Sequence, residues 1–266
     1  MHEPEWLAPA SLEEALALKA ERTDATVVAG GTFVGILVNQ HLLAPTAFLS
    51  LGGIRGLRFV AEHEGELRLG ALATHRAVEL SPLVREKWPA LARAFSLVAS
   101  PRVRNRATVG GVLGDADYAS DPPSMFVALG ARVVVQSRHG AREIPAEELI
   151  VGYYETSLAP DELIVEVIVP GGPHRAAYRK FRTRSHEDRP SVGVAACARD
   201  GGLRVVVGAV AGRPQYFPEL CTGEPASIAQ AYAEAIDPIG DISGSSEYRR
   251  RVIAVEVRRA LEEIAA

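Results

Sequence analysis

The stretch from Thr26 to Gly53 constrains the fold more than any other part of the chain. A short β-branched run, Thr26–Val28, ends in Ala29-Gly30-Gly31. Thr32 to Leu42 then reads as a helix, because Phe33, Leu37 and His41 recur every four residues along one face. Ala47 to Leu51 reads as a second buried strand, closed by Gly52-Gly53. Strand, glycine turn, helix and strand compose a βαβ unit.

The glycine pair in that unit has two readings. It can be a plain turn, or it can let a ligand approach main-chain N–H groups that no Cβ shields. A second pair, in Thr108-Val109-Gly110-Gly111, offers the same choice, and each pair has a threonine hydroxyl beside it. Two such loops in one chain balance the phosphate-cradle reading evenly against the two-turn reading. The first loop also opens the expected helix, whose N-terminus favours an anion. The usual dinucleotide fingerprint is absent: Gly30, Gly31 and Gly35 give G-G-x-x-x-G, and the strand ending at Ser50-Leu51 offers no carboxylate to a ribose. A simple Rossmann dehydrogenase is disfavoured.

The segment Ala107 to Ser124 adds a difficulty, since Asp115, Asp117 and Asp121 follow the second glycine pair. Carboxylates beside a diphosphate repel it unless they address hydroxyl groups. Asp121 is suited to a sugar hydroxyl and equally to capping the turn before Pro122-Pro123. Asp115-x-Asp117 lacks the glycine and following acid of a calcium loop, so no metal site is expected.

Elsewhere, Ser11 and Glu14 have capping-box spacing ahead of a helix with Leu12, Ala15 and Leu16 on one face. Leu67–Leu72, Arg132–Ser137, Ile164–Val169 and Arg204–Ala211 read as strands. Leu83–Val98 and Ser124–Gly130 read as helices, and a last helix begins near Glu247 with Ser245 or Ser246 as its N-cap. Pro170-Gly171-Gly172-Pro173 is the strongest linker signal. The expected division is 1–55, 56–172 and 173–266.

Composition narrows the function. With 266 residues, 47% hydrophobic and 23% charged, the chain has the make-up of a soluble globular protein. A net charge of −4 argues against a nucleic-acid surface. The local cluster Arg102, Arg104, Arg106 reads as a solvated basic face, or as a contact for phosphate or an acidic partner. Two cysteines, Cys197 and Cys221, cannot build a disulfide framework or hold an iron–sulfur cluster, which takes four ligands. Their sparsity suits a reducing cytoplasm. The acidic N-terminus does not read as a secretory signal, and no apolar run reaches membrane-spanning length. The histidines form no local cluster, and no catalytic acid or base is expected.

Six motifs in order carry a resemblance that runs nearly end to end. They are AGGT at 29–32, TVGG at 108–111, ADYASDPP at 116–123, VGYYET at 151–156, YRKFRTR at 178–184 with PSVGVAA at 190–196, and GSSEYRRR at 244–251. In these the chain resembles the FAD-binding medium subunits of molybdenum hydroxylases, a family that includes carbon monoxide dehydrogenase flavoproteins and the flavin domain of xanthine dehydrogenases. The resemblance implies an α+β fold: two α/β subdomains forming a PCMH-type FAD-binding domain, then a smaller C-terminal α+β domain of the carbon monoxide dehydrogenase flavoprotein type.

Carried over position by position, it implies that Val27, Val28, Ala29, Gly30, Gly31, Thr32, Phe33 and Val34 wrap the FAD diphosphate from one side. Thr108, Gly110 and Gly111 complete the cradle, Asp121 binds a sugar hydroxyl, Ile164 packs near the flavin and Lys180 reaches toward it. Without the resemblance, Lys180 reads as an ordinary solvated lysine. Phe33 stands where several relatives have serine, and Val112 where many carry a polar residue.

The implied function is electron transfer. FAD receives electrons from a small partner subunit with two 2Fe-2S clusters, after a large partner subunit with molybdenum cofactor has oxidised the substrate. It then passes them to an external acceptor, and dimers of heterotrimers are the usual assembly. Two other classes stay open at this point: a free-standing flavin oxidoreductase with its own substrate, and a flavin-free scaffold.

Overall fold

The computed structural model describes residues 3–200 and 202–266; Met1 and His2 of the first expected unit lie outside the described residues. The chain is α+β; among the described residues it builds three sheets of three or more strands in sequence order, and a two-stranded ribbon of Ile150–Gly152 against Glu155–Thr156. The first is parallel, with Ala47–Ser50 between Glu5–Leu7 and Thr26–Val28. Val27 lies opposite Leu49 in that sheet, so the βαβ unit read from the sequence is present. Its helix is shorter than periodicity suggests. It spans only Val34–Asn39, and His41 at φ 58 turns the chain out of helical geometry. At the preceding helix Ser11 is the N-cap, as its spacing implies: Glu14 N donates to Ser11 Oγ at 3.1 Å, while Glu14 Oε2 reaches one residue further back and accepts from Ala10 N at 2.8 Å.

The second sheet is antiparallel, in the order Val60–His63, Glu66–Gly70, Leu163–Val169, Arg132–Ser137, Gly140–Pro145. Its central strand, LIVEVIV, is apolar because both faces are covered. Leu163 and Val165 enter the core shared with the first sheet, while Ile164, Val167 and Val169 enter the opposite core. A bulge between Ile164 and Glu166 supplies the one-residue change of phase that this pattern needs.

The third sheet runs Arg175–Phe181, Val192–Arg199, Gly202–Gly208, Gln215–Tyr216, all antiparallel. Its strands alternate strictly between faces. Tyr178, Ala195 and Val206 join the core of the second sheet, whereas Ala177, Val194, Ala196 and Val207 pack on the helices Pro225–Ala235 and Ser246–Ala265. Between the second and third sheets lies a layer of short helices, including Pro89–Ser96 and Pro122–Ala128, with Phe95 and Phe126 edge to face at 5.9 Å.

The single helix expected over 83–98 is two helices, Pro82–Lys87 and Pro89–Ser96. Pro89 has no N–H to continue the first helix and its ring favours a new N-terminus, so the break falls there. The segment 107–124 holds one short helix, Val109–Gly114, and the start of another at Pro122.

Candidate functional site

A cavity of about 840 Å³ opens where the first βαβ unit meets the second sheet and its helices. Of the residues expected at a binding site, Val27, Ala29, Gly30, Gly31, Thr32, Phe33, Val34, Thr108, Gly110, Gly111, Asp121, Ile164 and Lys180 line it. Val28 does not; it lies in the sheet opposite Ser50.

The first glycine loop is the donor side of this cavity. Among the described residues, the amides of Gly30, Gly31, Thr32 and Phe33 donate to no backbone or side-chain acceptor. Four successive unpartnered N–H groups, in residues that line the cavity, are available as donors to anionic oxygens. Gly31 makes the turn possible with φ +74, a conformation that side chains resist. With only six residues, Val34–Asn39 has little dipole to add, so the loop amides are the relevant charge.

The second loop differs from expectation. Its amides are already used: Val109 N donates to Ala73 O at 3.0 Å, Gly110 N to Ala71 O at 2.8 Å, and Gly111 N to Thr108 Oγ1 at 3.1 Å. These bonds anchor the loop to the turn after Glu66–Gly70, and the buried Thr108 hydroxyl keeps its own proton to give. Its glycines also serve packing. A Cβ on Gly110 would lie 2.8 Å from Ala71 Cβ, and one on Gly30 would lie 1.9 Å from Arg106 O. Missing side chains thus let the two loops meet each other and the sheet, not only a ligand.

The arginine cluster divides. Arg102 and Arg106 are exposed, but Arg104 is buried, against the expectation of a wholly solvated face. Arg104 Nε donates to Glu79 Oε2 at 2.8 Å, and its Nη1 donates to Val98 O and Ala99 O at 2.9 and 2.8 Å. It clamps a turn in which Ala99 sits at φ 40, on the cavity wall.

The three aspartates no longer present three bare negative charges. Asp121 is 3% exposed; its Oδ2 accepts from Lys180 Nζ at 2.9 Å and its Oδ1 from Tyr178 OH at 2.8 Å. Lys180 also donates to Leu97 O at 2.8 Å, so it is a buried, paired lysine and not a solvated one. Burial lowers Lys180 from its ordinary value and raises Asp121, while each one's charge opposes the shift of the other. Asp121 makes no cap bond to the helix Pro122–Ala128, which removes the turn-capping alternative. Asp117 pairs with Arg189 at 2.8 Å. Asp115 has no such cation; burial first, and the Asp117 charge second, push its carboxyl up to about 7. Asp117 and Asp121 are therefore paired, and Asp115 is only partly ionised near pH 7.

Residues to which the sequence assigned no role complete the site. His75 is 1% exposed and clamps the second loop, its main-chain N–H donating to Ala107 O at 2.8 Å and its ring Nε2 lying 3.2 Å from Thr108 O. Burial drives its imidazole down to about 4, so it is neutral. Phe33 and Tyr154 stack across the cavity with centroids 5.9 Å apart and an interplanar angle of 15°. Tyr154 holds φ 58, with its amide bound to Ala116 O. Nothing in local periodicity marks His75, for which Thr74, the N-cap of His75–Leu80, is the nearest sequence signal; Tyr154 lies in the VGYYET motif, which gave it no role. Among the described residues, no group of three or more His, Cys, Asp or Glu side chains could hold a metal, and no helix is long and apolar enough to cross a membrane.

Comparison with known proteins places the chain in a family. The family described as the FAD binding domain in molybdopterin dehydrogenase matches residues 2–172. The chain is 34% identical to the nicotine 6-hydroxylase medium subunit of Paenarthrobacter nicotinovorans, over 98% of this chain and 97% of that one. It is 30% identical to the carbon monoxide dehydrogenase medium chain of Hydrogenophaga pseudoflava, over 97% and 95%. A chain in a solved structure of carbon monoxide dehydrogenase from Hydrogenophaga pseudoflava shares the fold with a TM-score of 0.94 at 28% identity, covering 99% of this chain and 97% of that one. A chain of quinoline 2-oxidoreductase from Pseudomonas putida 86 does so with a TM-score of 0.92 at 28% identity, covering 99% and 97%. The chain belongs to the FAD-binding medium subunits of the molybdenum hydroxylases, oxidoreductases in which its cofactor is FAD.

Proposed function

We propose that this chain is the electron-transfer flavoprotein subunit of a molybdenum hydroxylase complex. It takes electrons from a small 2Fe-2S subunit, downstream of a large molybdenum-cofactor subunit, and delivers them to an external acceptor. The observation that carries the reading is the run of unpartnered amides from Gly30 to Phe33, in residues lining a cavity where Asp117 and Asp121 are paired and Asp115 is only partly ionised near pH 7. That combination fits a diphosphate flanked by sugar hydroxyls.

FAD supplies the redox chemistry, and the chain supplies position and electrostatics. The Gly30–Phe33 amides hold the diphosphate, and the Thr108 hydroxyl donates from the facing loop. Asp121, with lone pairs to spare on both oxygens, accepts from a sugar hydroxyl. Ile164 and Lys180 stand at the flavin end, where the Lys180–Asp121 pair brings a buried dipole instead of a lone positive charge. With the division placed at residues 55 and 172, the cavity draws on the first two units, and the third adds Lys180 and Glu187 to Arg189.

The partner assignment follows the relatives, which are named as medium subunits or chains. It also follows the two buried, unpaired cysteines, too few for a cluster and suited to a reducing cytoplasm. The test is purification from the native host. The expected result is a flavin absorbance spectrum and copurification with an iron–sulfur subunit and a molybdenum subunit. A flavin-containing chain that purifies alone and turns over its own substrate would contradict the proposal.

A further inference from the structure

We infer that Tyr178 is a positioning residue of the FAD site: its hydroxyl, seated in the space left by Gly193, orients the Asp121 carboxylate toward the cavity. The inference rests on the reading that Asp121 binds the cofactor.

Tyr178 is fully buried, and it stands behind the cavity wall that Asp121 and Lys180 form. It acts through Asp121. Asp121 precedes the helix Pro122–Ala128 and makes no cap bond, so nothing on its own element fixes the carboxylate plane. Two donors from one neighbouring strand do. Tyr178 and Lys180 are two residues apart in Arg175–Phe181 and share a face; one donates to Oδ1 at 2.8 Å and the other to Oδ2 at 2.9 Å. Each oxygen keeps a lone pair for a group in the cavity.

Tyr178 is a constant donor. Burial first, and the Asp121 charge second, hold its hydroxyl well above the ordinary phenol value. The charged or titratable groups acting on Asp121 are Lys180, Tyr178 and Arg182, and Lys180 also feels Arg182 and Asp188.

Gly193 makes room for that hydroxyl. It pairs with Lys180 in the antiparallel register, and a Cβ there would stand 2.7 Å from Tyr178 Oη. The same Cβ would be 3.6 Å from Tyr178 Cζ and 3.8 Å from Pro190 Cβ, which are ordinary contacts. A methyl at 193 is therefore compatible with the ring and incompatible with the hydroxyl. Three separate sequence motifs, around Asp121, Tyr178 and Gly193, meet for this one interaction.

The test is FAD affinity of the full chain by fluorescence quenching across pH 4 to 8, for wild type, Tyr178→Phe, Gly193→Ala and the double variant. Tyr178→Phe is expected to weaken binding about tenfold, the share of one hydrogen bond to a charged group. The pH below which affinity is lost should move upward, because Asp121 has lost a donor that favours its ionised form. Gly193→Ala should reproduce both effects, and the double variant should be no worse than Tyr178→Phe. Unchanged affinity, an unmoved acid limb or additive losses would overturn the inference. Should the phenylalanine variant fail to fold, Gly193→Ala alone decides by the same readouts. Wild-type protein that does not bind FAD would defeat the functional reading instead.

Discussion

Gly30 and Arg106 meet backbone to backbone: a methyl on Gly30 would stand 1.9 Å from the Arg106 carbonyl oxygen and 2.7 Å from its carbonyl carbon. The first loop is thus pressed against the chain that leads into the second, and the cavity exists because these two segments touch. Gly30→Ala has no flexible side chain to push aside, so main chain must move. The expected cost is about 1–3 kcal/mol of stability, with FAD affinity falling at least tenfold. Gly35→Ala is the control. It lies in the helix Val34–Asn39 with nothing within 4 Å of the added methyl, and it should stabilise by about 0.5–1 kcal/mol. Urea midpoints and FAD titrations check both.

The Asp121–Lys180 pair crosses from the helix layer to the third sheet with both side chains buried. Lys180→Met strands a carboxylate in the interior and should cost about 3–5 kcal/mol. Asp121→Asn strands an ammonium group and should also destabilise. The two changes together should cost clearly less than their sum, because neither residue then leaves an unpaired charge. Chemical denaturation of the four proteins measures this coupling.

Asp115 and His75 titrate in overlapping ranges with opposite effects on stability. Asp115 is raised from its ordinary 3.8 to about 7 when folded, so the unfolded chain releases its proton first as pH rises. Folding is therefore penalised progressively from pH 4 to 7. Asp115→Asn should stabilise above pH 7, by no more than about 4 kcal/mol, and do nothing near pH 4. His75 is lowered from 6.5 to about 4, so the unfolded chain takes up its proton first on acidification. Stability of about 3 kcal/mol is present above pH 6.5 and lost by pH 4. Acidification from pH 7 to 4.5 should cost Asp115→Asn more stability than wild type, and His75→Gln less. Urea midpoints at the two pH values read out both slopes.

How much of this was legible in the sequence varies with the range of the interactions. Thr26–Val28 and Ala47–Ser50 pair as the βαβ pattern implies, because alternation and glycine punctuation are local signals. The helix read over Thr32–Leu42 stops at Asn39, since apolar spacing persists past a residue whose φ has turned positive. Arg104 illustrates the larger limit. Flanked by Arg102 and Arg106 it looks solvated, yet Glu79, 25 residues away, and two carbonyls draw it inside. The glycine pairs were visible, but the role of Gly30 and Gly110 in packing loop on loop depends on Arg106 and Ala71, which no spacing rule connects to them. The puzzle of three aspartates near an anion resolves only in space, where Lys180 and Arg189 arrive from the third sheet and its adjoining loop and Asp115 is half-buried, its carboxyl raised to about 7.

The central claim is that free main-chain amides of Gly30 to Phe33 hold the diphosphate of FAD. The most direct measurement is a fluorescence titration of the purified chain with FAD and with riboflavin, which carries the same ring system without phosphates. Binding of FAD at least about 100-fold tighter is expected, since two or more charge-assisted hydrogen bonds separate the ligands. Equal affinity for the two would contradict the claim and move the grip to another part of the cavity.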